Sequence, residues 1–343
     1  MLASAARTNR QGKWVAHGLI LLVLVAFAAG CQSENDSRIL KVAHALGPSH
    51  PVHQSIEHLD ERLQEKSAGS MRLDIYPSAQ LGSERQLLEL LQAGSLDIVK
   101  VSSAVMEGFV PEYKVFGLPY LFRNDDHRYA VMEGPIGRHI LEASRDVALR
   151  GLTFYDAGTR SFYTGERPVR TPDDLRGLKI RTMNSPVSIR MVNQMGGAAT
   201  PIAFGELYTA LQQGVVDGAE NNLPSFYLTN HYELCSYYSL DEHTAPQDVL
   251  LTSSRLWSRL SDQQRTWLQE AATESAAYQK TLWQEARAEA LQAVRKAGVA
   301  IVRPDKSRFI EAAQPVYRYY QEHEPRVYEL YQRISELGNQ WKE

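Results

Sequence analysis

The order of strand-like and helix-like segments constrains this chain more than anything else in it, because the same alternation runs through it twice. In the first round, residues 39–45 alternate apolar and polar positions as a strand does, and residues 51–67 carry Val52, Ile56, Leu59 and Leu63 at helical spacing. A strand pattern at 71–76 is closed by Pro77, a helix pattern at 83–93 is ended by Gly94, and an apolar strand pattern fills 96–101. The second round starts near residue 152. Strand patterns at 152–157 and 178–182 flank a loop holding Arg160, a helix pattern at 186–195 ends in Gly196-Gly197, and a helix at 204–213 leads into a strand at 216–220. Helices that alternate with strands must cover the faces of a mainly parallel sheet, so each round predicts an α/β unit with its ligand chemistry at the carboxyl ends of the strands. A chain of 343 residues has room for two such units, and the cleft between two domains is the default place for a small ligand.

The last third reads as helix. Ser261-Asp262 caps a stretch rich in alanine, glutamate, glutamine and leucine that runs to Lys296 and is closed by Gly298. Roughly 35 residues at 1.5 Å each span about 50 Å, more than one small domain, so this helix is expected to cross both lobes with Trp267, Leu268 and Trp283 on its packing face.

Lysine and arginine total 37 against 40 acids, with no run of five like charges, which argues against a nucleic-acid or polybasic membrane surface. The N-terminus is marked differently. Arg7, Arg10 and Lys13 precede an apolar segment at 19–29, only 11 residues long, that ends in Ala29-Gly30 before Cys31. That segment is too short to span a bilayer of about 30 Å. The pattern resembles a bacterial lipoprotein signal, residues 1–30, cleaved before a lipidated Cys31; an ordinary secretory signal cleaved nearby would export the chain as well. Residues 31–37 then form a short polar tether. Removing residues 1–30 takes away three positive charges and no negative ones, so the net charge goes from −3 to −6. A chain this acidic can hold an anion only where its positive charge is concentrated locally. The other cysteine, Cys235, lies in an apolar aromatic run and reads as a buried thiol.

Three polar clusters fall where strand ends aim into a cleft: Gly158-Thr159-Arg160, residues 179–184 with Arg181, and residues 217–222 with Asn221. A guanidinium is planar and offers paired donors that match a carboxylate, so two arginines converging on one cleft suit an anion. Phosphate-loop, nucleophile-elbow and metal-ligand spacings are absent, so no cofactor or metal is expected. His44, His50 and His53 have no cysteine or acid cluster beside them to complete a metal site.

Residues 176–187 (RGLKIRTMNSPV), 200–222 (TPIAFGELYTALQQGVVDGAENN) and 76–82 (YPSAQLG) together resemble the DctP-type substrate-binding proteins of tripartite ATP-independent periplasmic (TRAP) transporters, and the likeness covers residues 38–320. The resemblance implies a two-domain periplasmic-binding-protein fold, no catalysis, an extracytoplasmic location and delivery of a small carboxylate to TRAP membrane subunits. It implies that Arg181 pairs with the ligand carboxylate, Asn221 orients the ligand, Arg160 is an accessory arginine and Phe204 an aromatic wall. Glu84 would reach ligand hydroxyls, with His44, Lys100, Asn184 and His243 at further cleft-lining positions. The segments 160–163, 224–227, 231–233 and 239–243 resemble members that bind uronates, with Asp241 among the groups for ligand hydroxyls. The expected lobes are 38–158 with 247–286, and 159–246 with 287–343. Two other outputs stay open at this point: a lipoprotein feeding a membrane sensor, and a secreted glycosidase using Glu84 and Glu220 as its paired acids.

Overall fold

The computed structural model describes residues 38–341; the signal segment, Cys31 and the tether lie outside them. The first round of alternation folds as β1 (Arg38–Ala43), α1 (Pro51–Lys66), β2 (Met71–Tyr76), α2 (Glu84–Ala93) and β3 (Ile98–Ser102). Its helices start where capping residues allow. Ser83 and Gln86 form a reciprocal capping box at α2, and Gly94 ends it at φ 78°, a left-handed conformation. Three α-helices, two 3₁₀ segments and a strand follow: α3 (Ser103–Met106), a 3₁₀ segment (Pro111–Gly117), α4 (Asp125–Glu133), α5 (Pro135–Ala143), a 3₁₀ segment (Ser144–Val147) and β4 (Leu149–Tyr155).

The second round is β5 (Arg160–Thr164), β6 (Lys179–Thr182), α6 (Pro186–Gln194), β7 (Ala198–Pro201), α7 (Leu207–Gln212), β8 (Gly218–Asn221), α8 (Leu223–Leu228) and β9 (Tyr237–Thr244). Arg160, expected in a loop, opens β5 instead. The chain then returns through β10 (Asp248–Ser253), α9 (Ser254–Arg259), the long α10 (Asp262–Lys296), β11 (Ala300–Val302), α11 (Lys306–His323) and α12 (Pro325–Leu337).

Two mixed sheets result, of five strands in the order β2-β1-β3-β10-β4 and of six in the order β11-β9-β5-β8-β6-β7. β10 runs antiparallel between β3 and β4, opposing Asp248 to Ser102 on one side and to Tyr155 on the other. In the second sheet β5 is antiparallel to both β9 and β8, while β6 is parallel to β8 and β7. The chain passes from sheet to sheet at 156–159, at 245–247 and along α10.

α10 packs along α1 and against β4 and α8, as its length predicted. Leu268 and Trp283 are buried on it. Gly158 shows why the first crossing is tight: its φ is 61°, and a Cβ there would lie 2.9 Å from Trp283 Nε1. One apolar core lies between α1, α10 and the first sheet, and another between the second sheet and α8. The largest is continuous from Val99 and Phe116 through Ile180 and Val187 to Phe309 and Ile334, tying the two sheets together through α6, α11 and α12. Cys235 is buried and its thiol is pushed up to about 12 by burial. No helix among the described residues is long and apolar enough to cross a membrane.

A cavity with one unmatched guanidinium

A cavity of about 430 Å³ lies between the carboxyl ends of the two sheets. The size is in the range of small-molecule sites. From the first sheet its wall is a charged triad. β3 carries Lys100 into the cavity almost fully buried, and the antiparallel neighbour β10 begins with Asp248 beside it. The ammonium donates to Asp248 Oδ2 at 3.0 Å and to Glu84 Oε1 at 3.3 Å. Glu84 is the first residue of α2 and also accepts the Ser102 backbone N–H at 3.2 Å. Burial works against the Lys100 charge, but the two carboxylates more than offset it and raise its pKa. Asp248 is also raised, by burial first and with Glu84 adding to it, against the opposing pull of Lys100. Two carboxylates therefore share this one ammonium, while Arg85, the next residue of α2, also lines this side and pairs with Glu89 outside the cavity.

The opposite wall is built on β5, β6 and β8. Arg160, on β5, faces Glu220 and Asn221 on the paired strand β8. Its Nε and Nη2 donate to the Glu220 carboxylate, Nη2 also to the Glu220 carbonyl at 2.6 Å, and Nη1 to Asn221 Oδ1 at 2.6 Å. Burial alone would raise Glu220, but Arg160 and then His243 hold it down at about 2. The arginine's charge is therefore already neutralised.

Arg181, on β6, is different. It is buried, its Nε donates to the Ile202 carbonyl at 2.9 Å, its Nη1 has no partner, and it has no ion pair with a described carboxylate. Burial, and next the nearby Arg160 charge, bring it down to about 10, still charged at neutral pH. The Phe204 ring lies 5.9 Å from its guanidinium carbon. A buried ion without a counter-ion carries a desolvation penalty of several kcal/mol, which an anionic ligand with matching geometry removes.

Of the residues singled out in the sequence, Arg181, Asn221, Arg160, Glu84, Phe204, Lys100 and Asn184 line the cavity. His44, Asp241 and His243 do not. His44 is folded behind the wall, accepting the Leu46 N–H at Nδ1 and meeting His53 Nδ1 at 3.0 Å through Nε2. Asp241 and His243 are two residues apart on β9 and so share a face, turned inward behind Arg160. His243 Nδ1 donates to Asp241 Oδ2 at 2.6 Å, and its ring stacks on Phe162 at 4.2 Å. Burial opposes its charge, but Asp241 and Glu220 raise it to about 9, so it supports Glu220 as a cation.

Glu220 is locked in the Arg160 ion pair and does not reach the cavity wall, so it does not form an acid pair with Glu84. Asp248 and Ser102 line the cavity without having been singled out; so do His50, considered only as a metal ligand, and Ser225, named only as part of the segment 224–227. A signal for Asp248 exists, since it opens the apolar run 249–251 and a strand end is where a charge would face a cleft. His50 carries the weaker signal of a residue just before Pro51 at a helix start.

Residues 42–324 match the family described as bacterial extracellular solute-binding protein, family 7, or DctP. A solute-binding protein of Chromohalobacter salexigens is 38% identical over 278 residues, covering 80% of this chain and 83% of that protein. Among solved structures, a TRAP periplasmic solute-binding protein of Anaerococcus prevotii with bound α/β-D-glucuronate has a TM-score of 0.87 at 34% identity, covering 89% of this chain and all of that one. Another from Xanthobacter autotrophicus, with bound β-D-galacturonate, has a TM-score of 0.83 at 35% identity and covers 86% of this chain and 98% of that one.

Proposed function

The chain belongs to the DctP family of bacterial extracellular solute-binding proteins, which capture ligands for TRAP transporters, and from that membership we propose that its ligand is a hexuronate or a closely related sugar acid. It is a binding protein and not an enzyme. The observation that carries the proposal is the separation of charge across the cavity. One wall holds a single unmatched guanidinium, that of Arg181, and the other holds Lys100 shared between Glu84 and Asp248. A ligand with one carboxylate and several hydroxyls satisfies both, the carboxylate on Arg181 and the hydroxyls donating to Glu84 and Asp248. A C4-dicarboxylate would set its second carboxylate against the Glu84 and Asp248 carboxylates that already share Lys100, where like charge is repelled and buried groups left unpaired cost about 1–3 kcal/mol each. Hexuronates bound to the similar proteins from Anaerococcus prevotii and Xanthobacter autotrophicus support the same reading.

Titration calorimetry of the exported chain with D-glucuronate, D-galacturonate and succinate tests it. The uronates are expected to bind at least tenfold more tightly, which is about 1.4 kcal/mol. Succinate binding as tightly as either uronate sinks the proposal. Relatives of this kind give no support to the sensor reading.

As a member of this family the chain works outside the cytoplasm with TRAP membrane subunits. We further propose that Cys31 carries a lipid after cleavage at Gly30 and holds the chain to a membrane by that anchor. The supporting observation is the charged, short apolar and small-residue pattern of residues 1–30. Cys31→Ser should leave a soluble extracytoplasmic protein; recovery of that variant in the membrane fraction at the level of the parent rules the anchor out. For the lobes, the boundaries 38–158 with 247–286, and 159–246 with 287–343, are likewise our proposal. They agree with the grouping of the strands into two sheets, although α12 reaches back to pack on 111–117, α4 and α5.

A further inference from the structure

His50 and Ser225 meet in the cavity lining from opposite lobes, and the hydrogen bonds around them have only one self-consistent direction. His50 is the N-cap of α1, and its Nδ1 accepts the backbone N–H of Val52 at 3.2 Å. A backbone N–H can only donate, so Nδ1 carries no proton. In the neutral ring the proton is then on Nε2, which lies 3.3 Å from Ser225 Oγ and donates to it. Neutrality is enforced by the surroundings: the ring is fully buried, lies 5.9 Å from the Trp283 ring, and is pushed down to about 3 by burial first and then by the Lys100 charge.

Ser225 is held equally firmly, since its backbone N–H donates to the N-cap Asn222 Oδ1 at 2.8 Å. Its hydroxyl receives the His50 proton, and its own proton finds no acceptor among the described residues. Both side chains line the cavity. We propose that His50 and Ser225 form a directed relay, Val52 N–H to His50 to Ser225 to ligand, in which Ser225 is a further ligand contact that donates to a hydroxyl or ring oxygen of the sugar acid and His50 is its positioning residue. The relay joins the lobes, so it is complete only when they are closed on each other. It rests on the sugar-acid reading for the identity of the acceptor, and it makes the cavity select for a ligand oxygen at that point.

The two ring nitrogens have different jobs, and two substitutions separate them. His50→Asn places an oxygen where Nδ1 was, keeping the helix cap but not reaching Ser225. His50→Gln reaches Ser225 through its amide N–H but gives up the cap. Titrated with D-glucuronate and D-galacturonate, Ser225→Ala should bind the better uronate about tenfold more weakly. His50→Asn should lose about as much with an unchanged ligand-free melting temperature, and His50→Gln should stay within about threefold of the parent while melting lower. The double variant His50→Asn/Ser225→Ala should be no weaker than Ser225→Ala alone.

Affinity within twofold of the parent for Ser225→Ala, or losses that multiply in the double variant, overturns the relay. A parent that prefers succinate to both uronates removes the sugar-acid reading instead, and the same variants titrated with succinate then read the relay. Independently of any ligand, ¹⁵N–¹H spectra of the histidine rings at pH 7 should show His50 neutral with its proton on Nε2; a proton on Nδ1 overturns the proposal.

Discussion

Arg181 and Arg160 line the same cavity and differ in what already touches them, so they should fail differently. Arg181→Lys keeps a charge but loses the planar fork, and affinity for the best sugar acid should fall at least tenfold by calorimetry. Arg181→Ala should cost about 2–5 kcal/mol of binding, because the ligand carboxylate is then buried without its partner. Since Arg181 has no internal ion pair to lose, Arg181→Met should leave the ligand-free melting temperature unchanged or higher. A folded Arg181→Ala variant with parental affinity would refute the carboxylate clamp. Arg160→Ala, by contrast, strands Glu220 in the interior and should lower stability itself by about 3–5 kcal/mol. At this scale the sequence was informative wherever a strand end or helix start was itself visible, as for Arg181, Asn221 and Glu84. Depth was not visible. Asp241 and His243 have the spacing of a cleft face, but the strand that carries them turns that face inward, and nothing local to them records it.

Among the elements, the junction between the segment after α3 and the start of α6 is the one whose behaviour should change with pH. Glu107 accepts the Ser185 hydroxyl at 2.7 Å and the Val187 N–H at 3.2 Å at the N-terminus of α6, while its other carboxyl oxygen is buried without a partner. Burial raises it from 4.5 to about 8, against the pull of those two donors and of Lys114, which is itself paired with Glu324. With the folded pKa above the unfolded one, the neutral acid adds stability that is fully present below about pH 4.5 and is lost as pH rises through about 8. Glu107→Gln keeps an acceptor and cannot ionise. Its melting temperature should match the parent near pH 5 and exceed it by several degrees near pH 9; parallel curves for the two proteins would show that Glu107 is ionised throughout. Helices with caps and a 3.6-residue period were legible here, including α10 from Asp262 to Lys296. Short edge strands such as β7 and β11 were not, because four or three residues carry too little pattern to stand out.

For the whole molecule, two α/β units with a helix spanning them could be read from the order of segments, and the two sheets bear that out. What could not be read is which distant segments join them. The continuous core through α6, α11 and α12, and the return of α12 to the first lobe, rest on contacts between residues more than a hundred positions apart. The place of β10 has a consequence for the order of events as the chain is made and exported. It stands between β3 and β4, which do not touch each other, so the sheet begun by residues 38–155 stays in two halves until residues 248–253 arrive. Everything from Arg160 to Thr244 must be delivered first. A chain truncated after residue 246 should therefore melt without a cooperative transition, and a sharp transition in that fragment would show that the halves close without β10. Pairing over such sequence distances is slow to nucleate. A chain emerging amino end first keeps its earliest strands exposed to proteases and to each other's edges for most of its translocation, and the first part made is among the last to be sealed.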